Sequence, residues 1–581
     1  MVAMKVARFT DQQIHQMRRA IIPRPLVADE LSISISSSRS CKVNNQGTTA
    51  TAPNIGATVL PPLPSYEVPI STNVQGDVYT GFPKGAEDFI FFTIADANAF
   101  KLWLRDYRPT HSFEVCENLS MIYEKKLHSG AKAQCNIVQT QIAFSRLGLD
   151  FLGETEEIHD LYFDRGPMFH DRKLMGDQSA WDPLFSRTNV HVVILVAAKC
   201  EATCKIAVDE LVAQISPSVK NPETDISILH GRVRPGPHKG HEHFGFMDGI
   251  SQPALRGLTD TCAIPGQLTV DPGVIVMGYN GDPNHDDPHL PKRPDWTKDG
   301  SIMVFRKLQQ DVPEFDTYLK RNGRNWREYL PKEYAGKVTL TDDEGAALFG
   351  ARMIGRWKSG APLQNFPVRD NPRAALDKAV NNDFDYSIEG ERGPSDIRCP
   401  FTAHTRKTAP RQLDPYLQRK YIEAAAIIRS GIPFGPEVTE NERRYGKSDP
   451  SPSMERGLLF VCYQSCIATG FMLQTDGFAG NHYFPITGLK PVKHGQSSSL
   501  SRFPSGVELN NPVHPGQDPI LGWPSQPDPI PDNGSRDCTI KMSANAANSV
   551  ANVTQEFFVT SRGGEYFFVP SLSALKQLAG N

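Results

Sequence analysis

The chain predicts an α+β protein with helices packed on antiparallel sheets, and three observations carry that expectation. Short runs rich in β-branched and aromatic residues, such as Asp88–Ile94 and Val190–Ala198, read as buried strands. Segments with apolar residues in a helical context stand between them. The two kinds of segment follow no strict strand–helix–strand alternation, which favours mixed layers over a doubly wound parallel sheet.

The elements follow in order. Asp88–Ile94 is a strand, and Ala97–Tyr107, with Phe100, Leu102 and Leu104, is a helix. Val190–Ala198 is a second strand and Ala202–Ile215 a second helix. Further strands are expected at Ile226–Val233, Val274–Tyr279, Ile302–Arg306 and Leu458–Tyr463. Further helices are expected at Glu314–Arg321, Glu344–Ile354, Leu417–Ser430 and Leu572–Leu578. Residues 1–67 form a low-complexity extension, because Ser34–Ser40 and Pro61–Pro64 cannot build a core, and folded sequence begins near Asp77. Lys490–Ser535, dense in Pro, Ser, Asn and Asp, reads as a long surface excursion.

Composition narrows the partners. The chain has 581 residues, and 62 Lys+Arg against 65 Asp+Glu give a net charge of −3. That balance leaves no electrostatic footprint for nucleic acid or an anionic membrane. The longest apolar run, Val190–Ala198, is far short of the roughly 20 residues that cross a bilayer. Met1–Ala20 lacks an apolar signal core, so a cytoplasmic location is expected, with secretion as the alternative. None of the ten cysteines forms C-x-x-C, so buried thiols are expected rather than a zinc centre. No phosphate-binding loop exists, since Asn441 replaces the first glycine ahead of Gly446-Lys447-Ser448, and no G-x-S-x-G elbow is present. His241-x-His243 could bind a metal, but a polar loop of solvated or hydrogen-bonded histidines is the simpler reading.

Four strings are more specific. Glu242–Pro253 reads Glu-His-Phe-Gly-Phe-Met-Asp-Gly-Ile-Ser-Gln-Pro. Cys399–Arg411 reads Cys-Pro-Phe-Thr-Ala-His-Thr-Arg-Lys-Thr-Ala-Pro-Arg. Arg429–Pro436 and Arg456–Ser465 are the third and fourth. Ile142–Ser145, Gly355–Pro362 and Gly563–Phe568 add weaker matches. In this order, over roughly residues 75–575, they resemble the dye-decolourising haem peroxidases, the fungal branch most closely.

That resemblance implies two ferredoxin-like halves with antiparallel sheets and haem bound between them. The first would span 68–281 and carry the G-x-x-D-G motif. The second would span 282–581, after the Gly278–Gly281 turn, and carry the haem-ligand histidine. One haem b per chain is implied, its iron held by His404, with Asp248 and Arg429 on the peroxide side. Phe246, Gly249, Ile250, Ser251, Gln252, Arg406, Leu458 and Phe460 would surround the cofactor. The implied activity is reduction of hydrogen peroxide and oxidation of dyes, phenols or other small reductants through a ferryl–porphyrin radical. A non-catalytic haem carrier on the same fold is the alternative. Oligomeric state stays open between monomer and homo-oligomer.

The residue types suit that chemistry. A neutral imidazole supplies an axial bond to iron, and its second nitrogen should donate to a carboxylate or carbonyl. No such partner is legible in the sequence. An aspartate, ordinarily titrating near roughly 3.9, is ionised and can take a peroxide proton. A neighbouring guanidinium keeps it ionised and stabilises charge on the departing oxygen. A storage protein would need no such pair. Two departures from the fungal pattern stand out. Gln474–Ala479 places Asp476, or with a short insertion Phe478, where those relatives often carry tryptophan. Phe434 stands where tyrosine is frequent. If that tryptophan passes electrons to bulky dyes, its absence leaves large-substrate oxidation open.

Overall fold

The computed structural model describes residues 67–129, 136–177, 179–260, 263–387, 395–411, 418–482, 484–485, 515–523, 539–542, 552–554 and 556–580. The extension before residue 67 and most of the 490–535 excursion therefore lie outside the described residues.

Two copies of one topology are fused into a single sheet. In the first, strands β1 (Ala86–Phe92), β2 (Val138–Phe144), β3 (Val192–Ala198) and β4 (Ile226–Arg232) pair antiparallel in the order β4-β1-β3-β2. Helices α1 (Ala97–Asp106) and α2 (Ser112–Ser129) connect β1 to β2, and α3 (Glu201–Ile215) lies between β3 and β4. The second copy holds β5 (Ser301–Gln310), the edge pieces β6 (Ile428–Arg429) and β7 (Ile432–Phe434), β8 (Gly457–Gln464) and β9 (Val559–Val569). Its order is β9-β5-β8-β6, with β7 also paired to β8. Helices α4 (Val312–Gly323) and α5 (Asp342–Ile354) occupy its first crossover. Both copies thus run in the ferredoxin-like strand order.

The seams explain why the halves form one body. Phe144 of β2 pairs with Phe568 of β9, which makes nine strands continuous. At the other end Gly231 of β4 abuts β7, so closely that a Cβ there would lie 2.2 Å from the Ile432 side chain. Inside, Phe305 of β5 packs on Phe91 and Phe89 of β1, with ring centroids 5.0 and 5.1 Å apart, and on Phe185 at 5.7 Å. Every residue of β1 and β3 is buried, which accounts for their unbroken apolar runs. Asp96 caps α1 by accepting from the Asn98 and Ala99 amides. Thr341 and Glu344 form a capping box on α5, which ends on Gly355 at φ 90°.

Three sequence expectations change. Val274–Tyr279 is not a strand: Pro272–Val274 forms a 3₁₀ turn and the residues after it stay buried without a ladder. The positive φ of Gly278 and Gly281 bends the chain away from any partner. Leu417–Ser430 is not one helix. A short helix over Arg419–Ala424 gives way to β6, where Ile428 and Arg429 pair with Tyr463 and Cys462. Sheet completion overrides local helix preference there. Within the excursion, Gln517 and Asp518 are buried rather than on the surface.

Because Phe305 fills the space between the two repeats, Phe305→Ala should lower unfolding free energy by about 3–5 kcal/mol, read as a shifted denaturation midpoint. A shift near zero would show that the halves do not share this core.

Candidate active site

His404 opens a five-residue helix, α6 (His404–Thr408), behind the buried Ala403. Its Nδ1 lies 2.8 Å from Asp518 Oδ2, so that nitrogen carries the proton and donates. Asp518 is fully buried, and its Oδ1 accepts the amides of Ile520 and Leu521 at 2.8 and 3.0 Å. Burial alone would raise this carboxyl, but His404 and the two amides outweigh it and hold it below the ordinary range. Burial likewise pushes His404 down, and the Asp518 charge outweighs that and leaves the imidazole above its usual range. The backbone near Asp518 is held at Trp523. The Trp523 amide donates to Gln517 Oε1 at 2.8 Å, and its indole lies against Gly176 and Gly480, where a Cβ would come within 2.0 and 2.1 Å of the ring.

The Asp248 loop is fastened on both sides. Half-buried Glu242 accepts the amides of Phe244 and Phe246, each at 2.8 Å, and the Gln310 side chain at 2.6 Å. Met247 N donates to Lys358 O and Asp248 N to Gly240 O. Gly249, at φ 70°, takes a backbone shape open to glycine and donates its amide to Asp248 Oδ1 at 2.6 Å. Arg429 Nη1 donates to the same oxygen at 2.9 Å, which leaves Oδ2 for a substrate proton. Burial raises the Asp248 carboxyl, yet Arg429, the Gly249 amide and His404 outweigh it and set it below the ordinary range. Gln252 grips the Arg429 backbone twice, its Nε2 donating to Arg429 O at 2.6 Å and its Oε1 accepting from Arg429 N at 3.0 Å.

One cavity of about 1050 Å³ joins these groups. His404, Asp248, Arg429, Phe246, Gly249, Ile250, Ser251, Gln252, Leu458 and Phe460 all line it. Arg406, expected beside the cofactor, does not. It is fully buried behind the wall, its Nη1 donating to the carbonyls of Ser395 and Cys399, its guanidinium 4.1 Å from both the Tyr386 and Phe401 rings. Its role is to brace the segment that presents His404. Asp476 and Phe478 do not supply a surface indole either. Phe478 is buried and stacked on Phe484 with centroids 4.0 Å apart. His243 is also buried, its Nε2 on the Phe434 carbonyl at 2.9 Å, while His241 Nδ1 faces the Lys239 carbonyl.

The sequence did not single out three participants. Asp518 lies in a Pro- and Asp-rich stretch with no local signal. Arg356 and Arg411 were visible only as letters inside matched strings. Both guanidiniums line the cavity and share the Asn382 side-chain oxygen, at 2.9 and 2.5 Å. Burial lowers both, Arg356 to about 10, and the two cations repel each other. Among the described residues neither forms an ion pair with a carboxylate.

A histidine tied to a buried carboxylate and an aspartate held ionised by arginine, facing one apolar-walled cavity inside paired ferredoxin-like repeats, define a peroxidase of the α+β barrel class. A family model described as the DyP dimeric α+β barrel domain matches residues 73–235. A dye-decolorizing peroxidase of Mycena epipterygia is 37% identical over 87% of this chain and 86% of its own. One from Auricularia auricula-judae is 35% identical over 89% of each. Among solved structures, an ancestral D-type dye-decolorizing peroxidase has a TM-score of 0.72 at 38% identity, covering 88% of this chain and 100% of its own. A dye-decolorizing peroxidase in complex with 2,6-dimethoxyphenol has a TM-score of 0.69 at 34% identity, over 88% of this chain and 99% of its own. The chain belongs to the dye-decolourising peroxidase family.

Asp518 holds the His404 imidazole above its usual range, so Asp518→Asn should make His404 of the cofactor-free protein titrate at lower pH, followed by histidine NMR. An unchanged titration would mean that another group sets it.

Proposed function

We propose that this chain binds one haem b through His404 and reduces hydrogen peroxide with Asp248 and Arg429, at the expense of phenols, dyes and other small reductants. The observation that carries the reading is Asp248, 2.9 Å from Arg429 and lining the same cavity as a histidine whose Nδ1 already donates to Asp518.

The residues fit the group. His404 would hold the iron through Nε2, and its hydrogen bond to Asp518 would make it a stronger electron donor. Ile250, Leu268, Ile354 and Ile427 give the cavity apolar walls for a macrocycle. Buried Arg356 and half-buried Arg411, without ion-paired carboxylates among the described residues, suit the porphyrin's carboxylates. Bound there, haem supplies iron able to accept oxidising equivalents from peroxide and release them one at a time. Asp248 Oδ2 takes the proton from the near peroxide oxygen and returns it to the departing one. Arg429 keeps that carboxylate charged and stabilises the negative charge that develops on the departing oxygen. Leu458 and Phe460 exclude water around it. A carrier would have no use for the proton shuttle, and the phenol complex of a relative supports a phenolic reductant.

Loss of the Soret band in His404→Ala, with folding intact by circular dichroism, is expected. Asp248→Asn should keep haem and slow the peroxide-driven spectral change by at least about 10²; a wild-type rate would remove Asp248 from the shuttle. The pH response comes from the depressed Asp248 carboxyl. The rate of the peroxide step should hold as pH falls through the ordinary aspartate range and drop only below it. Arg429→Leu leaves burial, which raises the carboxyl, less opposed, so this acid limb should move to higher pH in stopped-flow measurements.

A further inference from the structure

Arg429 and Ser430 are neighbours in the chain with opposite surroundings. The Arg429 guanidinium lies in the large cavity, 2.9 Å from Asp248. The Ser430 hydroxyl lies in the joint between the repeats and donates to Asp77 Oδ1 at 2.8 Å. Successive side chains along a strand leave from opposite faces, so whatever fixes Ser430 also sets the direction in which Arg429 leaves. The ladder fixes little by itself, because β6 pairs with β8 only through Ile428 and Arg429. One further bond, from the Ser430 amide to the Val461 carbonyl at 2.8 Å, follows it.

Two groups of the first repeat hold Ser430. Lys84 has three ammonium donors, and all three are spent: on the Ser430 carbonyl at 2.8 Å, the Ser430 hydroxyl at 3.1 Å and Glu87 Oε2 at 2.6 Å. Asp77 accepts the Ser430 hydroxyl and the Phe82 amide on Oδ1, each at 2.8 Å, and the Tyr463 hydroxyl on Oδ2 at 2.6 Å. Gln141 of β2 closes the ring, donating to the Tyr463 oxygen at 2.7 Å and accepting the Asp77 amide at 3.3 Å. Stability alone does not account for this cluster. Glu87 is fully buried and leaves Oε1 without a hydrogen-bond partner among the described residues. Burial pushes its carboxyl up to about 7 against the pull of Lys84, and Asp77 adds to the rise. Apolar side chains of similar volume are often as stable as such a buried pair, or more so. What the charged cluster supplies is direction: Glu87, fixed on β1, anchors the ammonium that grips Ser430.

We propose that Lys84 and Asp77 are positioning residues for the peroxide step: clamping Ser430 from the first repeat, they aim the Arg429 guanidinium at Asp248. The role rests on the peroxidase function proposed for the cavity. Neither residue lines that cavity, so both act through Arg429. With the clamp loosened, the guanidinium swings away from Asp248. The Asp248 carboxyl then loses the charge that opposes its burial, and the departing oxygen loses its cation.

The test uses the haem-loaded full chain, mixed with hydrogen peroxide in stopped flow while the Soret change is followed. A misplacement of about 1 Å can cost a reaction about 10²-fold, so Lys84→Met should slow the peroxide step by at least about tenfold. Haem content and the KM for a small phenol should stay at wild-type values. The acid limb should move to higher pH, the direction expected for Arg429→Leu. Lys84→Arg, which keeps a cation with several donors, should recover most of the rate. Added to Arg429→Leu, Lys84→Met should slow nothing further, because it acts through the guanidinium. Should Lys84→Met fold poorly, Ser430→Ala removes the hydroxyl between Asp77 and Lys84 without stranding a charge. It should slow the step and move the acid limb in the same directions, again with no effect beside Arg429→Leu. A wild-type rate and acid limb in whichever variant folds would overturn the clamp alone, as would a full further slowing of Arg429→Leu. A wild type without any peroxide-driven Soret change would overturn both the clamp and the function it rests on.

Discussion

Gln252 and Arg429 exchange two hydrogen bonds across 177 residues of chain, and the geometry of the site depends on that exchange. Arg429 stands on a two-residue strand that could not fix a long side chain alone. The amide of Gln252 sets its backbone, and the first repeat holds the next residue from the other side. Ser430 Oγ donates to Asp77 at 2.8 Å, and Lys84 Nζ donates to the Ser430 carbonyl at 2.8 Å. A shielded amide deprived of its partner costs about 1–3 kcal/mol, so these contacts reinforce one another. The guanidinium arrives beside Asp248 as a result of that joint, not of any local preference.

The same logic explains why two repeats form one sheet. Each ferredoxin-like half would leave open edges and one face uncovered. Pairing β2 with β9 and bringing β4 against β7 covers those edges, and the Phe89, Phe91 and Phe305 rings fill the space enclosed. The large cavity opens beyond this core, lined by Leu458 and Phe460 of β8 and by the Asp248 loop. The cavity is thus framed by the sheet, with Asp248 on a glycine-shaped loop and His404 on a short helix.

Much of this was legible from the residues. The helices at 314–321, 344–354 and 572–578 and the strands at 226–233 and 458–463 fall where periodicity and β-branched content put them. Asp248 and Arg429 line one cavity because the strings around them encode it: a glycine after the aspartate, and Gln252 four residues further on. Illegible features were those that arise only in three dimensions. Ile428–Arg429 reads as helix until β8 offers it a partner. Arg406 sits two residues after His404, yet the helical turn sends it behind the wall to Tyr386 and Phe401. Asp518 arrives from a stretch whose composition suggests only solvent, and only the fold shows it beneath the imidazole.

The seat of Trp523 between Gly176 and Gly480 has an evolutionary consequence. The indole touches both glycines where any side chain would collide with it, and it stands five residues after Asp518, whose carboxylate meets His404. Three positions scattered along the polypeptide are therefore locked together in their history. An alanine at 176 or 480 becomes tolerable only in a lineage that has first given up the indole. Sequence drift around the carboxylate of Asp518 must proceed in that order or stall.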